Sequence, residues 1–307
     1  MNEFSPEGIL LQTERNKYYL SNAEMMKKAC EQKIILEARA NLCDSGHNLT
    51  LDIPQCREAY IPRDEGAVGV SEGKTKDIAI ISRVNKAVCF VITDIFTGTG
   101  GEITLECSRK LAQEMCLENY IRKLASGDVI DARITHLEAF GAFVDIGCGL
   151  PALLPIDSIS ISRISHPKDR LYVGLDIKAV VKTIENDRIC LSQKELFGTW
   201  EENALSFSND QTVSGIVRSV EEYGIFVELA PNLSGLAEYK EGVKAGQQAS
   251  VFIKSVIPEK MKIKLNIVDT FDAEYKISEP VYFFKENHMD YFCYSPECCP
   301  KKIETVF

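Results

Sequence analysis

Two pairs of aromatic residues share one spacing in different parts of the chain. Phe140 and Phe143 are separated by a glycine and one further residue, and so are Tyr223 and Phe226. An exposed aromatic ring can stack on a nucleobase, which contributes about 1–3 kcal/mol per base with little sequence preference. Residues three apart on a regular strand face opposite sides, so we expect the glycine to permit a bulge or twist that brings both rings to one surface. The alternative role of these rings is core filling, since phenylalanine is usually buried.

Cationic side chains near the two aromatic pairs are candidate contacts for phosphate. Five of them lie in strand-like segments downstream of the pairs: Lys182, Arg188, Lys254, Lys262 and Lys264. Lys182 and Lys254 occupy equivalent places in two long segments. The run from Lys260 to Lys264 alternates lysine with apolar residues, so we expect three ammonium groups on one face of a strand. Solvated strand ends, or protection of a sheet edge against pairing, are the alternative roles.

The acidic balance of the chain restricts how it could bind nucleic acid. Its 307 residues include 35 Lys and Arg but 45 Asp and Glu, a formal net charge of −10. Non-specific clamping of a duplex depends mostly on Lys and Arg that neutralise phosphates, and this composition argues against it. A single strand also offers base faces for stacking, so an acidic protein can bind it through aromatic residues and a few cations.

Residue patterns for catalysis or metal binding are weak. The four histidines fall in different segments, without a nucleophile or a paired carboxylate at motif spacing. Gly98-Thr-Gly-Gly101 lacks the Lys-Ser/Thr of a phosphate-binding loop and is typical of a turn. Cys293, Cys298 and Cys299 lie near His288, but adjacent cysteines seldom both reach one zinc ion. We therefore predict no catalytic residue, no metal site and no cofactor.

The aromatic pairs belong to a longer internal repeat. Segments 131–147 and 214–229 both have the pattern strand, short turn, aromatic-Gly-X-Phe-Val-acidic, then strand. Each copy continues with a long strand-like segment and a short alternating one. A third, weaker copy lies upstream in segment 34–95, where His47 and Thr50 occupy the places of the two rings. Self-similarity of this kind predicts tandem structural units.

The pattern within and between the copies predicts their secondary structure. Five short strands per copy, separated by Gly and turn residues, are typical of a small closed barrel. Segments 108–123 and 193–205 lie between copies and have helical periodicity. Ser21 to Glu24 fits a capping box, with Ser21 as the cap of a helix before the first copy. In the tail, aromatic runs flank Asn287-His288 and predict a hairpin, which packs on the third barrel or pairs with the closing segment 301–307. Such a hairpin could also be a docking surface for another protein.

The predicted fold class is therefore mainly all-β, with tandem small five-stranded closed barrels joined by short helices, a short N-terminal helix and a β-hairpin tail. No apolar run reaches the roughly 18 residues of a membrane span, and no secretory signal is evident, so we expect a cytoplasmic protein without membrane contact. The predicted domains are an N-terminal extension with a helix (1–32), a degenerate barrel with linker helix (33–123), a binding barrel with linker helix (124–208), a second binding barrel (209–268) and the tail (269–307).

The motifs Phe140-Gly-Ala-Phe-Val-Asp-Ile-Gly and Tyr223-Gly-Ile-Phe-Val-Glu-Leu resemble the repeat of bacterial ribosomal protein S1, a five-stranded oligonucleotide-binding barrel. The likeness spans roughly residues 33–268 and is faint in the first copy. It implies that both ring pairs stack on bases, while a His after the third strand and cations around the last hairpin hold the backbone. The His position falls on Pro155 and Glu238, neither of which can donate from its side chain. The cation positions fall on Arg188, Lys260, Lys262 and Lys264.

The resemblance implies a non-enzymatic protein that binds single-stranded RNA, such as mRNA, in translation, with the small ribosomal subunit as a possible partner. The first copy, which lacks both rings, is expected to be structural or to bind protein. The alternative function is an adaptor whose barrels mainly contact proteins in an RNA-processing or transcription complex. The acidic composition and the degenerate first copy favour that alternative.

Overall fold

The structure, a computed structural model, describes residues 4–185, 188–273 and 277–307. It contains three closed five-stranded barrels, which confirms the predicted architecture of tandem barrels. The chain divides into two compact units. The first comprises the chain up to Leu124 together with Asp145–Pro151, and the second comprises Ala125–Val144 and Ala152–Phe307.

The first unit holds barrel 1 and the helices around it. Its elements are α1 (Glu14–Tyr19), α2 (Ala23–Glu31), β1 (Leu36–Cys43), β2 (Leu49–Asp52), β3 (Glu58–Ile61), α3 (Ile78–Ile81), β4 (Ala87–Thr97), β5 (Ile103–Ser108) and α4 (Arg109–Asn119). The strand order around the barrel is β1-β2-β3-β5-β4. Period-2 alternation turns Leu36, Leu49, Phe90 and Leu105 inward, where they are fully buried.

The first helices differ from the predicted capping box by one residue. Asn22, not Ser21, caps α2, because its side chain accepts a hydrogen bond from the backbone N–H of Met25 at 3.1 Å. Ser21 instead donates its hydroxyl to the carbonyl oxygen of Tyr18 at 2.7 Å. The sequence does not reveal the preceding helix α1, whose end leaves carbonyl groups without intrahelical partners. Ser21 satisfies one of them, and the cap of α2 moves to the next residue.

Barrels 2 and 3 follow along the chain. Their elements are β6 (Val129–Glu138), β7 (Gly141–Asp145), β8 (Pro151–Pro155), β9 (Asp176–Glu185), β10 (Arg188–Ser192), α5 (Trp200–Ala204), β11 (Thr212–Glu221), β12 (Gly224–Ala230), β13 (Leu233–Ala237), β14 (Gln248–Ile257) and β15 (Lys262–Phe271). The strand orders are β10-β8-β7-β6-β9 and β11-β12-β13-β15-β14. Each barrel closes through one parallel contact, β8 with β10 and β13 with β15, and the other strand pairs of barrel 3 are antiparallel.

The predicted linker helix at 193–205 is two shorter pieces. A 3₁₀ helix covers Lys194–Phe197, and α5 begins only at Trp200. Gly198 lies between them with φ of 80°, a left-handed conformation that ends a helix. Thr199 and Glu202 then form a capping box for α5. This geometry places Trp200, which is 2% exposed, in the core of barrel 3.

The predicted C-terminal β-hairpin is confirmed, but its predicted place around Asn287-His288 is wrong. In the structure β16 (Tyr291–Cys293) pairs antiparallel with β17 (Glu304–Val306), so the alternative pairing with the closing segment is the correct one. The upstream aromatic run forms no strand because its Tyr282 packs into barrel 2. The ring of Tyr282 stacks on Phe197, and its hydroxyl accepts hydrogen bonds from Lys178 N and Gln193 Nε2.

Candidate nucleic-acid interface

The two aromatic pairs have the same geometry in barrels 2 and 3. The ring centroids of Phe140 and Phe143 lie 6.0 Å apart with an interplanar angle of 89°, and those of Tyr223 and Phe226 lie 6.1 Å apart at 83°. Phe140 is 55% exposed and Tyr223 is 71% exposed. Core filling therefore does not describe Phe140, Phe143 or Tyr223, whereas Phe226 is half-buried. Each pair offers solvent two edge-to-face rings, and a base can stack on the face that is open.

The reason both rings share a surface differs from the expected bulge. Phe140 and Tyr223 lie in the turn before β7 and β12, so strand alternation does not apply to them. The residues of β12 from Gly224 to Phe226 pair regularly with β11, and the irregularity lies on the opposite strand, between Val217 and Ser219. The side chains of Phe140 and Tyr223 leave the turn on one side of the barrel. The side chains of Phe143 and Phe226, the third residues of β7 and β12, point to the same side.

The glycine of each motif is required by a close approach of two strands. A Cβ atom on Gly141 would lie 2.5 Å from the carbonyl oxygen of Leu154, and one on Gly224 would lie 2.6 Å from that of Ala237. The φ of Gly224 is 151°, which side chains rarely adopt. Glycine thus allows β12 to approach β13, and β7 to approach β8, directly beside the ring pair.

His136 extends the aromatic surface of barrel 2, a role that sequence reasoning missed. Its ring lies 6.4 Å from that of Phe143 with an interplanar angle of 27°, and it is exposed. Nε2 of His136 lies 2.7 Å from a carboxylate oxygen of Glu138. The repeat could have indicated that His136 lies beside Phe143. His136 aligns with Ser219, which is the cross-strand partner of Phe226.

In barrel 3 a lysine lies on the same outer face as the ring pair. Phe226 pairs with Leu236 on β13, and Leu236 pairs with Lys264 on β15. At about 4.8 Å between neighbouring strands, the backbones at Phe226 and Lys264 are about 10 Å apart. Lys262 and Lys264 are exposed, and Ile263 between them is buried. A strand of RNA stacked on the rings would run within reach of these ammonium groups.

Lys260 does not share that face, contrary to the alternation expected from the sequence. It belongs to a 3₁₀ turn, Pro258–Lys260, and Met261 follows with a left-handed φ of 48°. The strand begins only at Lys262. The chain reverses direction between β14 and β15, and Lys260 is part of that turn. Only Lys262 and Lys264 therefore share the strand face.

Lys182 and Lys254 occupy equivalent irregular positions. The register between β9 and β10 shifts between Val181 and Thr183, and that between β14 and β15 shifts between Ile253 and Ser255, so each lysine is the extra residue of a β-bulge. Their environments differ in one respect. Nζ of Lys254 donates to a carboxylate oxygen of Glu238 at 3.0 Å, so this cation is partly neutralised by the residue at the family's His position.

Barrel 2 carries fewer cations on its closing strand than barrel 3. Arg188 is exposed at the start of β10, opposite Glu185 on β9. Cys190 on β10 pairs with Leu153. It stands in the place of Lys264, which pairs with Leu236 in barrel 3. Barrel 2 therefore offers more aromatic surface, through His136, and barrel 3 offers more positive charge.

The corresponding face of barrel 1 is acidic. Across this face Thr50 pairs with Tyr60, Tyr60 pairs with Glu106, and Glu106 pairs with Asp94. The carboxylates of Glu106 and Asp94 therefore lie where barrel 3 has Lys264 and its partner Ser255. The hydroxyl of Tyr60 donates to Glu106 at 2.9 Å, and this hydrogen bond raises the pKa of Tyr60. His47 lies 3.6 Å from a carboxylate oxygen of Asp77. This face lacks the ring pair and would repel phosphate.

The described residues contain no group of three His, Cys, Asp or Glu side chains placed to hold a metal ion. Near the tail cysteines, His288 instead forms hydrogen bonds with Asp128 and Asp290, which raise its pKa. Within the same described residues, none of the helices is both long enough and apolar enough to span a bilayer.

Comparisons with known proteins add to this geometry. The family model of the S1 RNA binding domain matches residues 123–194, which contain barrel 2. Small ribosomal subunit protein bS1 of Staphylococcus haemolyticus (strain JCSC1435) is 33% identical over 294 residues, which cover 89% of this chain and 71% of the relative. The protein of the same name from Staphylococcus aureus (strain COL) is 32% identical over 171 residues, which cover 51% of this chain. The matched part spans only 44% of that relative's length.

Proposed function

The chain belongs to the family of small ribosomal subunit protein bS1, and on this premise we propose that it binds single-stranded RNA with the outer faces of barrels 2 and 3. The ring pair that recurs in both barrels with nearly equal centroid distances carries the proposal. Phe140, Phe143 and Tyr223 are exposed and Phe226 is half-buried; base stacking is the interaction that such a pair of rings on a barrel surface favours.

Charge explains the preference for a single strand. The net charge of −10 opposes a duplex, which would need many phosphates neutralised at once. A stacked single strand needs only a few cations, and Arg188, Lys182, Lys254, Lys262 and Lys264 supply them near the rings. The affinity of each barrel is expected to be modest, and linkage of two sites in one chain multiplies it.

The names of the relatives extend the proposal to a partner and a process. These relatives are named as proteins of the small ribosomal subunit. We infer that this chain binds mRNA in translation and acts in the cytoplasm, with the small ribosomal subunit as its partner. The proposed function contains no chemical step and needs no cofactor.

The acidic face of barrel 1 favours a second candidate function, that of an adaptor for proteins. Asp94 and Glu106 occupy positions equivalent to those that face RNA in barrel 3. A surface of this sign attracts Lys- and Arg-rich protein segments and repels nucleic acid. The two functions are compatible in one chain, because they use different barrels.

The test is a fluorescence anisotropy titration of the full chain with a pyrimidine-rich RNA strand and with an RNA duplex. We expect binding of the strand and much weaker binding of the duplex. Substituting Phe140, Phe143, Tyr223 and Phe226 by Ala should weaken strand binding by about 1–3 kcal/mol per stacked base lost. Phe96→Ala is the matched control, because Phe96 is a similarly exposed ring, 53%, on barrel 1.

Unchanged affinity in the variant without the four rings would contradict the proposed function. If the chain bound no RNA at any salt concentration, the adaptor function would be favoured. A Lys- and Arg-rich peptide would then be the probe, with binding that is lost in the Asp94→Asn, Glu106→Gln variant.

A further inference from the structure

The acidic residue that ends the motif is buried in both barrels that carry a ring pair. Asp145 is 3% exposed and Glu228 is 6% exposed. Burying a carboxylate is costly unless it is paired or hydrogen-bonded, so its partners indicate why it is there. Asp52, at the same position of the weaker copy in barrel 1, is exposed. An acidic residue at this position of the repeat is therefore not always buried.

Glu228 is bound by one arginine from its own barrel and one from the preceding barrel. Arg218 on β11 donates from Nε at 2.8 Å and from Nη2 at 3.3 Å. Arg170 donates from Nη2 at 2.7 Å and lies in the connection between β8 and β9 of barrel 2. The side chains of Arg170, Arg218 and Glu228 are 11%, 9% and 6% exposed. The carboxylate thus joins two barrels of the second unit at a buried point.

The turn after β12 is enclosed by the same part of barrel 2 and its linker. Asn232 is fully buried, accepts a hydrogen bond from Ile161 N at 3.0 Å, and donates to the carbonyl oxygens of Lys194 and Gly198. Ser162 N donates to the carbonyl oxygen of Pro231, and the hydroxyls of Ser162 and Ser234 lie 3.1 Å apart. These directional bonds define one relative arrangement of barrels 2 and 3.

Asp145 has a comparable environment in the first unit. It accepts hydrogen bonds from the backbone N–H groups of Glu7, Gly147 and Gly149. The Glu7 carboxylate is in turn held by Nε and Nη2 of Arg109, at 2.7 and 3.1 Å. Arg109 is the first residue of α4, directly after the last strand of barrel 1. In both cases the motif acid is satisfied by a network that includes an arginine from the preceding repeat.

We propose that the motif acid of barrel 3, Glu228, is a docking point for barrel 2 within the second unit, and that Arg170 and Glu228 position the ring pair of barrel 3 relative to that of barrel 2. This inference rests on the proposed function, because its consequence is that one RNA strand contacts both faces in a defined order. A rigid connection raises the effective concentration of the second face once the first is bound, and a loose one lowers it. Arg170 is a positioning residue and does not itself contact RNA.

The test uses Arg170→Gln in the full chain, which leaves Glu228 paired with Arg218 inside barrel 3. Two RNA strands are titrated, one of about 6 nucleotides that fills one barrel and one of about 20 that spans both, given about 4–16 nucleotides per barrel of this type. We expect affinity for the long strand to fall about 10-fold and that for the short strand to stay unchanged. Arg163→Gln is the control, an exposed arginine in the same connection that should change neither affinity.

A second measurement does not depend on RNA. Fluorophores on barrels 2 and 3 report the distance between them by energy transfer, and we expect a broader distribution in Arg170→Gln than in the unaltered chain. If circular dichroism shows that this variant is unfolded, Arg170→Lys, which keeps the charge but not the planar fork, replaces it. An unchanged distance distribution together with unchanged long-strand affinity would overturn the docking role. Absence of RNA binding by the unaltered chain would overturn the proposed function alone, since the distance measurement still tests the docking.

Discussion

Nζ of Lys254 lies 3.0 Å from a carboxylate oxygen of Glu238, at the edge of the ring pair of barrel 3. The side chains of Lys254 and Glu238 are 39% and 83% exposed, and exposed ion pairs contribute only about 0–1 kcal/mol. Phosphate can therefore compete for the lysine. The carboxylate nevertheless lowers the positive potential around Lys254 and would repel the backbone of a bound strand, so we expect Glu238 to limit the affinity of barrel 3 for RNA.

Replacing Glu238 by Gln should strengthen binding of single-stranded RNA about 2-fold or more, since one charge is removed near the phosphates in high-dielectric surroundings. The dependence of affinity on salt should steepen by about 0.7 in logarithmic slope if Lys254 then neutralises one phosphate. Anisotropy titrations over a salt series measure both quantities. Glu201→Gln, an exposed acid on α5, is the control. Equal affinities of the two variants would show that Glu238 does not restrain Lys254.

Salt dependence separates stacking from charge in barrel 3. The slope for a single strand is near −0.7 per neutralised phosphate, and we expect about two to four such contacts in the unaltered chain. Replacing Lys254, Lys262 and Lys264 together by Gln should make the slope shallower. Replacing Tyr223 and Phe226 by Ala should lower affinity at every salt concentration and leave the slope unchanged. A steep slope abolished by the lysine changes, with no effect of the aromatic changes, would instead assign RNA binding to the cationic strand.

His136 should contribute to stacking in barrel 2. His136→Ala is expected to weaken RNA binding by up to about 1–3 kcal/mol, the range for loss of one stacked base, whereas His136→Phe should retain most of the affinity because a ring remains beside Phe143. Titration of both variants with a short strand measures this. The matched control is His166→Ala, since His166 caps a 3₁₀ helix in the connection of the same barrel. If the Phe variant binds as weakly as the Ala variant, stacking is not the role of His136.

Glu37 should make the first unit less stable as pH rises. It is 1% exposed, and burial, together with the nearby charge of Glu7, raises its pKa to about 7 against hydrogen bonds from Gly8 and Leu11 that lower it. The folded state therefore holds a proton that the unfolded chain releases near pH 4.5. Stability is greatest below about pH 4.5 and falls by roughly 3 kcal/mol as pH rises through 7, where the loss is complete.

Hydrogen exchange of the β1 amides, corrected for the intrinsic effect of pH, measures this local stability. The opening free energy of the unaltered chain minus that of Glu37→Gln should decrease between about pH 4.5 and 7 and then stay level, because Gln does not ionise. A difference that is constant over this range would exclude Glu37 as the titrating group.

Much of the fold follows from local patterns in the sequence. Alternation over each strand, turn residues between strands and the recurring aromatic-Gly-X-Phe-Val-acidic motif predict three barrels, because these signals depend only on neighbouring residues. The same motif identifies both ring pairs. Three predictions failed where a second local element intervened, at Ser21 beside α1, Lys260 in a turn and Gly198 within a predicted helix. The hairpin predicted around Asn287-His288 failed for a tertiary reason, the packing of Tyr282 into barrel 2.

The contact partners of the site residues were decided by tertiary structure alone. Lys254 forms a hydrogen bond with Glu238, and the ring of His136 stacks on that of Phe143. Arg170 forms a hydrogen bond with Glu228, 58 positions away in the chain. Such contacts depend on strand register, on the bulges that accompany barrel closure and on the docking of one barrel against another. A repeat pattern predicts that each copy forms a barrel. It contains no information on which residues of one barrel meet those of the next, because that interface is a property of the packed pair and not of either copy.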